Sequence, residues 1–415
     1  MNKLKNKPFL INVKEAHASG IVSYQGSKAI IKIGDNFYEI PESNQFDLTQ
    51  ATIFGLNERL TMSATSPVLS DGETLRDKFN EEWEKYGEEL TDEQSDFNYG
   101  VYAYYQEKNH LVRYSSEYWH RTVSIASSST LILDPDRKKT WREIREIFEN
   151  TVVGVVGCSV GSNIAHNIVM DLRPKNLKLA DKSLFKMENI NRVRLGYSDI
   201  VKANSEKNGI SDTALKNKAT SIADQMYAID PFLNIYVYNE GLNDTNISDF
   251  FDGGDGEPKI DILVEEVDDP RIKLKLREEA RKRSIPLVMA SDLGSCVQID
   301  ICRYDLDNKE SYSYGISDEK LLKATEAVYS NPGDRKTFFE FVDALVGTDY
   351  RQDELKDIIN EESEIPTSTI IPQLGSTAAV GGGIMAELVA RIRLGYNFSR
   401  RMIFNKKTFE VSIKE

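Results

Sequence analysis

From Thr151 onward, short apolar runs alternate with amphipathic segments of helical length, and that alternation leaves few architectures open. Strands are predicted at Val152–Gly157, Leu177–Asp181, Ile235–Tyr238, Ile260–Glu265, Ile285–Ala290 and Val297–Arg303. Helices fit between them at Ser162–Leu172, Lys216–Tyr227 and Arg271–Arg283. Strands flanked by helices imply a mostly parallel sheet covered on both faces, the doubly wound Rossmann-like α/β class. At 415 residues the chain is too long for one ordinary core, so two domains are expected. The boundaries read as 1–120, a smaller α+β domain for partner recognition or dimerisation, and 121–415, the α/β domain. A polar, charge-rich stretch at 305–364 breaks the alternation and reads as an insertion that covers the nucleotide or holds a partner.

The N-terminal part is quieter. Ala29–Ile33 and Phe37–Ile40 flank Gly34, Asp35 and Asn36, which reads as a hairpin. Leu75, Phe79 and Trp83 recur at helical spacing within 74–86, Val101–Tyr105 reads as a strand, and Thr140–Glu149 as a short helix. These apolar positions are expected to be core.

Composition narrows the function. No run is long and apolar enough for a transmembrane helix or a signal peptide, so no membrane is expected and the cytoplasm is the expected location. Three cysteines, without a C-x-x-C pair, and four scattered histidines give no disulfide framework and no expected zinc site. A net charge of −14 argues against nucleic acid as a partner.

The chemistry begins where the first strand ends, at Gly157-Cys158-Ser159-Val160-Gly161-Ser162, directly before a helix. Gly157 permits a tight turn, Gly161 permits close backbone approach, Ser159 adds a hydroxyl, and the helix N-terminus offers N–H groups to phosphate. The second strand ends in Asp181, where a Rossmann fold places its ribose acid. No G-x-x-x-x-G-K-[ST] is present, which excludes a P-loop.

The sequence then continues into Asn189-Ile190-Asn191-Arg192, with Arg192 eleven positions after Asp181. Lys218 lies 13 residues before Pro231, Asp261–Asp269 forms a strand with a C-terminal acid, and Pro372–Glu387 forms a late helix. In this order and spacing the stretch resembles the ThiF/MoeB/HesA and ubiquitin-activating superfamily. The resemblance implies an ATP- and Mg2+-dependent adenylyltransferase acting on the C-terminal carboxylate of a ubiquitin-like or sulfur-carrier protein or peptide. It implies that Asp181 holds ribose, that Asn189, Arg192 and Lys218 meet the phosphates, and that Asp268 binds Mg2+ with Glu265 as a second candidate. Gly157, Ser159 and Gly161 would cradle the nucleotide. It also implies a homodimer, with Arg121 or Arg113 as candidates to reach across to the partner's phosphates.

The sequence departs from the family pattern in three places. The loop lacks the usual adjacent central glycines, Ser183 replaces a second acid after Asp181, and no cysteine lies in 305–364 to form a thioester. The expected acyl adenylate therefore passes to an external nucleophile or to a partner's cysteine. Two other readings keep the fold: a nicotinamide or flavin oxidoreductase, and a degenerate scaffold subunit of a heterodimer. The Asn189, Arg192 and Lys218 set favours ATP over the first, and retention of Arg192, Lys218 and Asp268 counts against the second.

Overall fold

The computed structural model describes residues 3–49, 99–117, 120–121, 133–136, 138–201, 215–347, 373–398 and 400–414. The predicted helix at 74–86 lies outside them. The N-terminal region holds β1 (Phe9–Asn12), α1 (Val13–Ala18), β2 (Val22–Gln25), β3 (Lys28–Ile33), β4 (Asn36–Ile40), β5 (Gln45–Asp47), β6 (Val101–Tyr105) and β7 (His110–Tyr114). They form a three-stranded sheet in the order β2-β3-β4 and a four-stranded sheet in the order β1-β6-β7-β5. The expected hairpin is β3–β4, closed where Ile33 pairs Asn36 and Gly34 takes φ 59°.

The remaining elements are α2 (Trp141–Asn150), β8 (Val152–Val156), α3 (Gly161–Leu172), β9 (Asn176–Ala180), α4 (Tyr197–Ile200), α5 (Lys218–Ile229), β10 (Asn234–Tyr238) and α6 (Ile247–Asp252). After them come β11 (Ile262–Glu265), α7 (Pro270–Lys282), β12 (Leu287–Leu293), β13 (Cys296–Cys302), α8 (Asp318–Ser330), α9 (Arg335–Val346), α10 (Gly375–Arg393), β14 (Arg401–Asn405) and β15 (Glu410–Lys414). Thr140 opens α2 with a capping box to Glu143, which explains why the helix starts there.

One sheet runs β10-β9-β8-β11-β12-β13-β14-β15. The first five strands are parallel, as the alternation implies, and the last three are antiparallel. The Gly294-Ser295 turn joins β12 to β13 directly, and a parallel crossover needs a dozen or more residues. β14 and β15 were not expected from the sequence.

Helices cover both faces of this sheet. On one, Ile164 and Ile168 of α3 share a core with Ala223 of α5 and with Ala386 and Val389 of α10. On the other, Phe250, Leu276 and Leu287 pack with Leu321, Phe341 and Leu345. The described part of the expected insertion is therefore two helices, α8 and α9, whose apolar faces join that second core. A Cβ on Gly382 would stand 2.8 Å from the Asn163 Cβ, so the glycine permits α10 to lie close against α3. Among the described residues no helix is long and apolar enough to cross a membrane.

The chain leaves β8 for β9 and β10 on one side, then returns to place β11 on the other. In such sheets ligands sit at the carboxyl ends of the strands beside this reversal, here between β8 and β11.

Candidate functional site

At the end of β8 the backbone turns sharply through Gly157, at φ 94°. Its N–H donates to the Ala180 carbonyl at 2.9 Å, which ties the turn to β9. A Cβ at this position would stand 2.3 Å from the Glu266 carbonyl oxygen on β11's exit. We expect Gly157→Ala to cost about 2–4 kcal/mol through strain and forced displacement, read as a lowered urea midpoint. A midpoint unchanged from wild type would contradict this geometry. Gly161 begins α3, which starts without a side-chain cap and leaves the positive end of its dipole at the turn.

The Asp181 carboxylate accepts the Cys158 N–H at 2.8 Å and the Ser183 N–H at 2.7 Å. It therefore fixes the glycine turn, while each oxygen keeps a lone pair for a ribose hydroxyl. Asn217, which sequence reasoning passed over, stitches the neighbouring strand exits together. Its carboxamide donates to the Asp181, Ser183 and Asn239 carbonyls at 2.7, 3.2 and 3.2 Å and also caps α5. The position directly before Lys218, at a helix start, was the available signal.

Lys218 follows as the first residue of α5. It is 8% exposed, and its Nζ has no hydrogen-bond or carboxylate partner among the described residues. Lys216, two positions earlier, instead pairs with Glu107 and Asp224, each at 2.8 Å. Lys218 opposes the upward push that burial and Asp181 give the Cys158 thiol, so its charge acts at the glycine turn. A mostly buried lysine whose ammonium has no anion among the described residues suits an anionic ligand.

Asn189 lies in a 3-10 turn, Met187–Asn191, where its Oδ1 accepts the Lys186 N–H at 3.1 Å. The side chain is buried and closes the turn that presents Arg192. From there the Arg192 guanidinium reaches the glycine loop, with Nε donating to Ser159 Oγ at 3.1 Å and Nη1 to Asn191 Oδ1 at 3.0 Å. Gly157, Ser159, Gly161, Asp181, Asn189, Arg192 and Lys218 thus converge on one strand edge.

The acidic end divides differently from expectation. Asp268 is exposed at the exit of β11, with no hydrogen-bond partner among the described residues. Asp269 caps α7 through the Arg271 and Ile272 N–H groups and also accepts the Tyr329 hydroxyl from α8. Glu265 is not available to a metal, which corrects that expectation. It is fully buried, its Oε1 takes Lys273 at 2.6 Å, and its Oε2 takes Arg277 at 3.0 Å. Both cations sit on α7, behind the sheet edge. Mg2+ is commonly held by one or two carboxylates plus substrate phosphates, so the open Asp268 oxygens fit it, while no described group of three His, Cys, Asp or Glu residues forms a protein-only cage.

The model of the ThiF family matches residues 142–414. The chain belongs to the ThiF family. It is 30% identical over 203 residues to the uncharacterized protein MT1398 of Mycobacterium tuberculosis (strain CDC 1551 / Oshkosh), a stretch covering 48% of this chain and 25% of that protein's length. A crystal structure of E. coli MccB with AMPCPP and MccA aligns over 95% of this chain and 94% of its own, at 12% identity and TM-score 0.45. A crystal structure of PaaA aligns over 88% of this chain and 91% of its own, at 15% identity and TM-score 0.43.

The ThiF-family chain keeps neither arginine candidate for a partner's phosphates in an open position. Arg121 is buried, with Nη1 donating to the Arg173 carbonyl at 2.6 Å and charges from Glu117 and Asp230 beside it. Arg113 donates to the Tyr99 carbonyl at 2.9 Å and stacks over the Tyr99 ring. Arg113 thus ties residues of the N-terminal region together, whereas Arg121 is bound to Arg173 and Asp230 of the α/β region. The three cysteines are buried and outside any disulfide.

Asp292, near the end of β12, is a buried acid within electrostatic reach of Arg192 that the sequence did not single out. It is 7% exposed, and neither carboxylate oxygen has a hydrogen-bond partner among the described residues. Burial lifts its pKa to about 6, against the pull of Lys406 and Arg192. A carboxyl that holds its proton more tightly when folded favours folding below its ordinary value and loses that advantage as pH rises through 6. Asp292→Asn should therefore stabilise the chain at pH 7.5 by up to about 3 kcal/mol, with the difference vanishing below about pH 4. Urea midpoints at the two pH values check this, and an equal difference at both would contradict it.

Proposed function

We propose that this ThiF-family chain is an ATP-dependent adenylyltransferase that activates the C-terminal carboxylate of a peptide or of a small ubiquitin-like or sulfur-carrier protein. The observation that carries the reading is the mostly buried Lys218 side chain, whose ammonium has no anion partner among the described residues, beside a glycine turn that Arg192 already touches through Ser159.

In this reaction an acceptor carboxylate oxygen attacks the α-phosphorus of ATP. The bond from that phosphorus to the bridging oxygen breaks, and pyrophosphate leaves with the electron pair, giving an acyl adenylate. Negative charge grows on phosphate oxygens, so fixed cations and N–H donors are the means of acceleration. The glycine turn and the start of α3 supply backbone N–H groups. Arg192 supplies a planar multi-donor contact and Lys218 a compact charge. The ribose hydroxyls donate to Asp181. Asp268 would hold Mg2+, which when bound neutralises phosphate charge.

Burial pushes both the Cys158 and Cys302 thiols up, which disfavours an internal thiolate. The acyl group is accordingly proposed to leave to an external nucleophile. Exchange of labelled pyrophosphate into ATP, scanned over candidate acceptors, tests the reading. Acceptor-dependent exchange supports it, whereas ATP that neither binds nor exchanges with any acceptor overturns it.

A further inference from the structure

Three structural segments meet beside Arg192: the Asn191-Arg192 turn, the Gly294-Ser295 turn after β12, and the start of α10. Side chains bind them to one another. Asn191 Nδ2 donates to the Gln373 carbonyl at 2.9 Å, and Thr377 Oγ1 donates to the Gly294 carbonyl at 3.2 Å. Lys406, leaving β14, donates to Ser376 Oγ at 2.8 Å and Thr377 Oγ1 at 2.6 Å. A Cβ on Gly375 would stand 2.2 Å from the Asn191 carbonyl oxygen, so the two segments touch through backbone.

In this otherwise satisfied wall three buried oxygens have no partner among the described residues: both of Asp292 and Oε1 of Gln373. All three are acceptors. Buried acceptors are costly when left unmade, and each calls for a donor. Phosphate cannot supply one, and a buried carboxylate repels it. Water and hydroxyl donors aside, the component that would satisfy a charged acceptor most strongly is a group rich in N–H. Asp292 feels the charges of Lys406, which bonds Ser376 and Thr377, and of Arg192; Asp292 acts in turn on Glu266, which adjoins the glycine turn. The carboxylate that attacks ATP must come to this same place, with its own residue attached.

We propose that Asp292, with Gln373 beside the same turn, forms a subsite for an N–H donor, ammonium or amide, on the C-terminal residue of the acceptor. The inference rests on the adenylation reading and deepens it: Arg192 and Lys218 hold the nucleotide, and Asp292 selects the acceptor.

Pyrophosphate exchange is measured with synthetic hexapeptides that differ only in the last residue, Lys, Gln, Met or Glu, each with a free C-terminal carboxylate. ATP affinity is followed in parallel. Met matches Gln in reach, and falls one atom short of Lys, without an N–H donor, and Glu brings repulsion. A site built to bond a donor rejects its absence strongly, so kcat/KM for Lys or Gln should exceed that for Met by about 10²-fold or more. The order of Lys and Gln separates ammonium from amide. Asp292→Ala should bring the preference for Lys over Met within about threefold, and the isosteric Asp292→Asn, whose amide oxygen still accepts but carries no charge, should lower it less, with ATP affinity changed by no more than about threefold in both. Asp292→Asn, checked to unfold at no lower temperature than wild type, guards against a folding defect in the alanine variant.

A wild-type chain indifferent to the last residue, or an Asp292→Ala chain that keeps the preference, overturns the proposal. ATP binding without exchange on any peptide overturns it while sparing the nucleotide site. Failure to bind ATP removes the adenylation reading and this inference with it.

Discussion

Arg192→Ala and Asp268→Ala should each lower acceptor-dependent pyrophosphate exchange by about 10²-fold or more, the scale of a lost preorganised charge contact. Both changes should leave folding nearly intact. Asp268 is exposed and has no hydrogen-bond partner among the described residues, so its removal disturbs no packing. Arg192 is only partly buried, and its bonds to Ser159 and Asn191 are each replaceable by water. Steady-state exchange with thermal unfolding on the same samples gives the comparison. Near-normal exchange in either variant would mean that the residue lies outside the phosphate and metal machinery.

Glu265→Ala should behave in the opposite way. It removes the only carboxylate that the described structure hydrogen-bonds to Lys273 and Arg277, leaving one largely and one almost fully buried cation uncompensated. Breaking one side of a buried pair costs about 3–5 kcal/mol. Because Arg277 also donates to the Tyr312 carbonyl, the loosening should extend toward the segment leading into α8. A fall in Tm of several degrees is expected, and exchange measured well below the new Tm should persist. Glu265→Gln should lose less, since the amide oxygen still accepts. A stable Glu265→Ala chain without exchange would instead restore Glu265 to the metal site.

The parallel half of the fold was legible because strands buried on both faces are continuous apolar runs, as in Val152–Val156 and Ile262–Val264. The antiparallel half was not. β14 begins with Arg401, which looks like a surface residue until its guanidinium is seen bonded to Asp300 at 2.5 and 2.9 Å inside the sheet. β15 is exposed along its whole length, so no burial pattern marks it. The charged stretch after Asp305 concealed two helices because only one face of each is apolar. Leu321, Phe341 and Leu345 bury while the acids and lysines between them stay outside.

Spacing singled out Asp181, Arg192 and Lys218, which the fold brings together, because each stands at or near a strand exit or helix start, where local sequence sets the position. It misassigned Glu265 because neighbouring strand residues face opposite ways and the sequence alone does not say which way is inward. A signal was nevertheless present: Lys273 and Arg277 lie four apart on one face of α7, the spacing that brings two cations to one acid. Asp292 was invisible for a different reason. Its importance comes from the donors it lacks, and an absent partner leaves no mark on a linear pattern.

The most direct measurement is a crystal structure of the chain with Mg2+ and a non-hydrolysable ATP analogue. The account places the ribose on Asp181, the triphosphate along Gly157–Gly161 within hydrogen-bond reach of Arg192 and Lys218, and the metal on Asp268. A nucleotide lodged elsewhere, or a triphosphate that leaves the Lys218 ammonium without a phosphate oxygen, would contradict it.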